Sequence, residues 1–175
     1  MGGKVRARAG KASGAVFVLE LALERIAAAP APAPQASRPV AGARVLAAED
    51  NPMSRLVLKA LLEQVGVTLD LVEDGLQALE AARTQAFDVI LMDVQMPGLD
   101  GLTAARAIRA RSGPNQHTPI LALSADAMPA HIRACREAGM NGHIAKPIQI
   151  DELFTSLADA LAQGAQTTQT ASAAG

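Results

Sequence analysis

The stretch Phe87–Gly101, FDVILMDVQMPGLDG, decides how this chain folds. From Phe87 to Met92 the residues are strand-forming and mostly apolar, the pattern of a short strand buried on both faces. Asp93 follows at once and the chain then turns: Pro97 and Gly98 suit the turn, and Asp100 can cap a helix beginning near Gly101. A carboxylate delivered to the edge of a buried sheet is costly unless something there uses its charge.

On either side, RVLAA (Arg44–Ala48), TLDLV (Thr68–Val72), PILALS (Pro119–Ser124) and GHIA (Gly142–Ala145) read as further short strands. Helical periodicity fills the gaps. Val57, Ala60, Leu61 and Val65 share one face, as do Leu102, Ala105 and Ile108, and as do Leu153, Leu157 and Leu161. Gly66 and Gly139 stand where helices stop, Asp50 and Asp74 where they start. Strands alternating with helices in this way predict a doubly wound, five-stranded parallel α/β sheet with helices on both faces, because parallel neighbours need right-handed crossovers.

Composition narrows the function. With 175 residues, half of them apolar, the chain can bury one domain-sized core and keep length for a linker or tails. A formal net charge of -1, three Phe and no Trp or Tyr leave neither a broad phosphate-binding surface nor a stacking platform, so nucleic acid is not expected as a partner. Cys135 is the single cysteine, which excludes an internal disulfide and fits a reducing, cytoplasmic setting. Lys4, Arg6, Arg8 and Lys11 precede an apolar run like a secretory leader, but Glu20, Glu24 and Arg25 interrupt it. Neither export nor membrane contact by this chain is expected.

In doubly wound sheets the functional crevice lies beyond the carboxyl ends of the strands. After the first predicted strand of this sheet come Glu49 and Asp50, after the third Asp93, at the end of the fourth Ser124, and after the fifth Lys146. Three carboxylates crowded there repel unless one is protonated or a cation is present. Magnesium prefers such oxygen ligands, and the absence of nearby His and Cys argues against zinc. Lys146 and Ser124 suit the oxygens of a transferred phosphoryl group. A carboxylate nucleophile, a metal, a lysine and a hydroxyl together make a phosphoryl-acceptor site.

VLAAEDNPMSRLVLKALLEQVG, DVILMDVQMPGLDGL, PILALSADAM and AGMNGHIAKPI resemble the receiver domain of two-component response regulators over roughly Ala43–Leu161. The resemblance implies the flavodoxin-like strand order 2-1-3-4-5. It also implies that Asp93 accepts a phosphoryl group from a phosphohistidine. Glu49, Asp50, Asp93 and the backbone carbonyl of Gln95 would hold Mg2+, Ser124 and Lys146 would contact the phosphoryl oxygens, and the Lys146-Pro147 bond would be cis. In the family a hydroxyl after the fourth strand is coupled to a Tyr or Phe ring on the fifth; here His143 holds that ring position.

KVRARA and AVFVLELAL flank the turn GKASG and read as a strand pair resembling the last hairpin of the ATP-binding domain of sensor histidine kinases. That order implies the C-terminal piece of a hybrid histidine kinase: 1–26 a kinase-domain remnant or mobile extension, 27–42 an Ala/Pro linker, 43–162 the receiver and 163–175 a disordered tail. No ATP-lid or phosphorylatable-His motif is recognisable, so the chain is not expected to phosphorylate itself from ATP. The partners implied are a histidine kinase module, in cis or in trans, and a His-containing phosphotransfer protein. The parent kinase could be membrane-anchored through other segments. Competing readings are a small-molecule phosphohydrolase of related layout, and a stand-alone receiver or interaction module.

Overall fold

The structure, a computed structural model, describes residues 3–9, 15–21 and 40–172, with side chains over 40–164. The chain divides into two units. In the N-terminal unit β1 (Gly3–Ala9) and β2 (Ala15–Leu21) pair antiparallel, Gly3 opposite Leu21 and Ala9 opposite Ala15, in line with the strand pair read from the sequence. Most of the linker read at 27–42 lies outside the described residues; Val40 to Gly42 lie within them.

The second unit alternates strictly: β3 (Arg44–Ala48), α1 (Pro52–Gln64), β4 (Thr68–Val72), α2 (Gly75–Thr84), β5 (Val89–Asp93), α3 (Gly101–Ala110), β6 (Ile120–Ser124), α4 (Pro129–Glu137), β7 (Gly142–Ala145) and α5 (Ile150–Ser172). The strands form one parallel sheet in the order β4-β3-β5-β6-β7, the doubly wound order 2-1-3-4-5 expected from the sequence. Strand periodicity separates two cores. Leu46, Ala48, Ile90, Met92, Ile120 and Ala122 pack under α2, α3 and α4, whereas Val45, Ala47, Val89, Leu91, Leu121, Leu123 and Ile144 pack under α1 and α5. Burying each large aliphatic side chain contributes roughly 2 kcal/mol.

Helices α1 and α5 differ from the sequence reading. The face of α1 that packs is Leu58 and Leu62, with Leu61 and Val65 partly covered, while Val57 and Ala60 are exposed. The apolar stripe of α1 is wider than one face, so periodicity alone selects the wrong edge of it. At the other end α5 runs on to Ser172, so most of the segment read as a disordered tail from 163 is helical. Ala and Gln are good helix formers, and the low complexity that removes core-forming side chains does not remove helix propensity. No helix among the described residues is long and apolar enough to cross a membrane.

Helices α2 and α3 each begin with a glycine in close backbone contact with the chain around β5 and the loop that follows it. An alanine Cβ at Gly101 would stand 2.0 Å from the backbone oxygen of Asp93, and one at Gly75 would stand 2.2 Å from that of Leu99. The start of α3 therefore lies directly on the end of β5, and the position of Asp93 depends on that close approach.

Candidate functional site

Four strands end on one cleft of about 280 Å³, lined by Glu49 and Asp50 after β3, Asp93 on β5, Ser124 on β6 and Lys146 after β7, with Gln95 beside them. The turn after β3 explains how two consecutive carboxylates reach it. The cap of α1 is Asn51, not Asp50: Asn51 Oδ1 accepts from the backbone N–H groups of Met53 (2.9 Å) and Ser54 (3.2 Å), and Pro52 occupies the first helical turn. Proline supplies a helix-ready φ and lacks the N–H that would need a cap. Asp50 is thereby released from capping and remains exposed at the cleft. Asp74 and Asp100 do cap α2 and α3, accepting from Gln77 N and Thr103 N at 2.8 Å each.

Oxygens of Glu49, Asp50 and Asp93 lie within 4.8 Å of one another. Lys146 Nζ closes the group, 2.6 Å from Glu49 Oε2 and 2.6 Å from Asp93 Oδ2. The contact to Asp93 is a hydrogen bond; the one to Glu49 is a charge contact without hydrogen-bond alignment, so the buried Glu49 Oε2 has no directed donor. The remaining oxygens are held by backbone: Asp93 Oδ1 accepts from Gln95 N (2.9 Å) and Glu49 Oε1 from Asn51 N (3.2 Å). Burial, reinforced by the charge of Asp93, raises the Glu49 pKa above its ordinary value against the opposing pull of Lys146. Burial works against the Lys146 ammonium, but its close contacts with the Asp93 and Glu49 carboxylates outweigh it and raise the lysine pKa. Lys146 is thus charged at neutral pH, and an oxygen-lined space that favours a further cation lies beside it.

Ser124 is buried at 4% exposure, and its hydroxyl is engaged locally, accepting from Asp126 N (3.0 Å) and donating to Asp126 O (3.2 Å). The Lys146–Pro147 peptide bond is cis. His143, opposite Ala122 on β7, does not line the cleft; it is half-buried and its Nε2 is buried without a hydrogen-bond partner. Sequence reasoning missed Asn51, Ser54 and Arg55. The pair Asn51-Pro52 is a readable helix-start signal, whereas Arg55 looks like any solvated helix charge.

A doubly wound α/β domain whose strand ends gather three carboxylates about one lysine is defined as a class by that acidic cleft at the topological switch point. Residues 45–158 match the response regulator receiver domain, and the chain belongs to that family. Sensor protein GacS of Pseudomonas syringae pv. syringae is 45% identical over 112 residues, 63% of this chain and 12% of that protein. Sensor histidine kinase AruS of Pseudomonas aeruginosa is 38% identical over 162 residues, 91% of this chain and 16% of that protein. This chain therefore spans only 12–16% of the length of these curated relatives. Among solved structures, the receiver domain of sensor histidine kinase PA1611 from Pseudomonas aeruginosa PAO1 superposes with a TM-score of 0.65 at 41% identity, covering 70% of this chain and 99% of that one. It was determined with a magnesium ion coordinated in its active-site cleft.

Proposed function

We propose that this chain is a phosphorelay receiver in which Asp93 takes a phosphoryl group from a phosphohistidine. The observation that carries the reading is the buried Asp93 carboxylate joined to Lys146 at 2.6 Å inside an otherwise acidic cleft. An Asp93 oxygen attacks phosphorus, the P–N bond of the donor breaks, and its electron pair leaves on the imidazole, giving an aspartyl phosphate on Asp93. Hydrolysis later returns the carboxylate and inorganic phosphate. Lys146 offsets charge on the phosphoryl oxygens. Ser124 leaves Asp126 to donate to one of them, and His143 is the ring that follows into the vacated space, so the surface of α4, β7 and α5 carries the output.

The donor set fits Mg2+. Glu49 Oε2 is buried without a directed donor, Asp50 is uncommitted to capping, and all the side-chain groups are hard oxygens. Glu49, Asp50, Asp93 and the Gln95 carbonyl would hold it, and when bound it would neutralise charge on the phosphoryl group in transfer. The magnesium found in the similar PA1611 receiver supports this assignment.

We further infer that the chain is part of a hybrid histidine kinase, acting in the cytoplasm with a kinase module and a His-containing phosphotransfer protein. Residues 43–175 number 133, so the 162-residue match to sensor histidine kinase AruS necessarily takes in sequence on the N-terminal side of the receiver. The β1–β2 hairpin fits a remnant of the kinase's ATP-binding domain.

The test is transfer from a phosphotransfer domain carrying radiolabelled phosphohistidine, in the presence of magnesium. Label is expected to move to the native chain and not to Asp93→Asn. Transfer to the variant at the native rate would place the acceptor elsewhere.

A further inference from the structure

Past the end of β3, the carbonyls of Glu49 and Asp50 lie beyond the paired residues of the strand. Neither is paired in the sheet. Arg55, one turn into α1 and only 19% exposed, binds both: Nη1 donates to Glu49 O at 3.0 Å and to Asp50 O at 2.9 Å. Its second amino group, Nη2, donates to Glu73 Oε1 at 2.9 Å, tying the turn after β3 to the turn after β4. The same turn is also tied to the end of β4 by Glu49 N, which donates to Val72 O at 3.1 Å.

We propose that Arg55 is a positioning residue for the acidic pair: its planar fork fixes the two successive peptides that aim Glu49 and Asp50 into the cleft. This rests on the phosphorelay reading above and names a residue that sets metal affinity there. The coupling is geometric. A guanidinium can hold two carbonyls with one amino group and a carboxylate with the other, a fixed fork that a lysine ammonium on a flexible stem does not reproduce. Groups that orient metal ligands without touching the metal commonly set its affinity by about 10-fold or more.

The experiment measures magnesium affinity by titration calorimetry, and the magnesium dependence of acetyl phosphate labelling, for the native chain, Arg55→Met and Arg55→Lys. Both variants are expected to bind magnesium about 10-fold more weakly. The labelling rate at saturating magnesium is expected to stay within about 2-fold of native, because the ligands themselves are intact. Unchanged affinity in Arg55→Met overturns the inference, and so does full recovery by Arg55→Lys, which would make charge the cause. A fall in the saturated rate with unchanged half-saturation overturns it as well. Should Arg55→Met fail to fold, Arg55→Lys alone decides between the outcomes. A native chain that takes up no magnesium sinks the phosphorelay reading and this inference together, whereas native binding with unaltered variants sinks the inference alone.

Discussion

Gly101→Ala is expected to lower the stability of the receiver unit by about 3 kcal/mol or more, a large part of what a domain of this size possesses. The added Cβ would meet backbone atoms, with the oxygen of Asp93 at 2.0 Å and its carbonyl carbon at 2.9 Å, and backbone cannot rotate aside as a flexible side chain does. Relief requires α3 to lift from β5, which also breaks the bond from Gly101 N to Val94 O and disturbs Asp93 itself. Gly113→Ala is the matched control, because a Cβ there meets nothing within 4 Å. Urea unfolding of the two variants separates the effects; a Gly101→Ala midpoint equal to that of Gly113→Ala would show that the helix and strand do not approach so closely.

The second large effect is expected from Lys146→Ala. Without the ammonium, Glu49 and Asp93, exposed by 0% and 6% of their side chains, face each other in a buried space with no cation. Breaking a buried pair by removing one partner costs about 3–5 kcal/mol, and some exposure of this cleft to water lowers that to about 2–4 kcal/mol. The sign with pH follows from Glu49, whose folded pKa lies above its unfolded value. Between those two values the folded state holds more protons than the unfolded one, so this group's contribution falls as pH rises through that window. Lys146 works at the opposite end of the scale: its raised pKa contributes stability that is present below the ordinary lysine value and lost as pH climbs through the folded one. Lys146→Ala should therefore recover on acidification, and magnesium should stabilise it more than it stabilises the native chain, because the ion replaces the missing charge. Equal magnesium-induced shifts in the two urea midpoints would mean that Lys146 does not neutralise this cleft.

Much of this was legible in the chain because strand burial on both faces leaves a plain signature. Arg44–Ala48, Thr68–Val72 and Gly142–Ala145 are the strands as read, and β5 and β6 differ from their readings only at the ends. The cleft was legible for a related reason: Glu49, Asp50, Asp93, Ser124 and Lys146 stand at or just past strand ends, so reading the strand ends collects them. Helix α1 was harder. Asp50 and Asn51 are both good capping residues, and only the geometry of the turn, with Pro52 next, assigns the cap to Asn51 and leaves Asp50 for the cleft. Arg55 was invisible, because its role depends on two carbonyl oxygens whose direction no sequence pattern records. The local engagement of Ser124 with Asp126 is likewise a matter of loop conformation.

The role proposed for Asp93 is that of a phosphoryl acceptor delivered by the sheet. Intact-protein mass after incubation with acetyl phosphate and magnesium, for the native chain and for Asp93→Asn, tests it most directly. The native chain is expected to gain one labile phosphoryl group and the variant none. A native chain that binds magnesium yet stays unmodified, or a variant that is modified equally, would contradict the account.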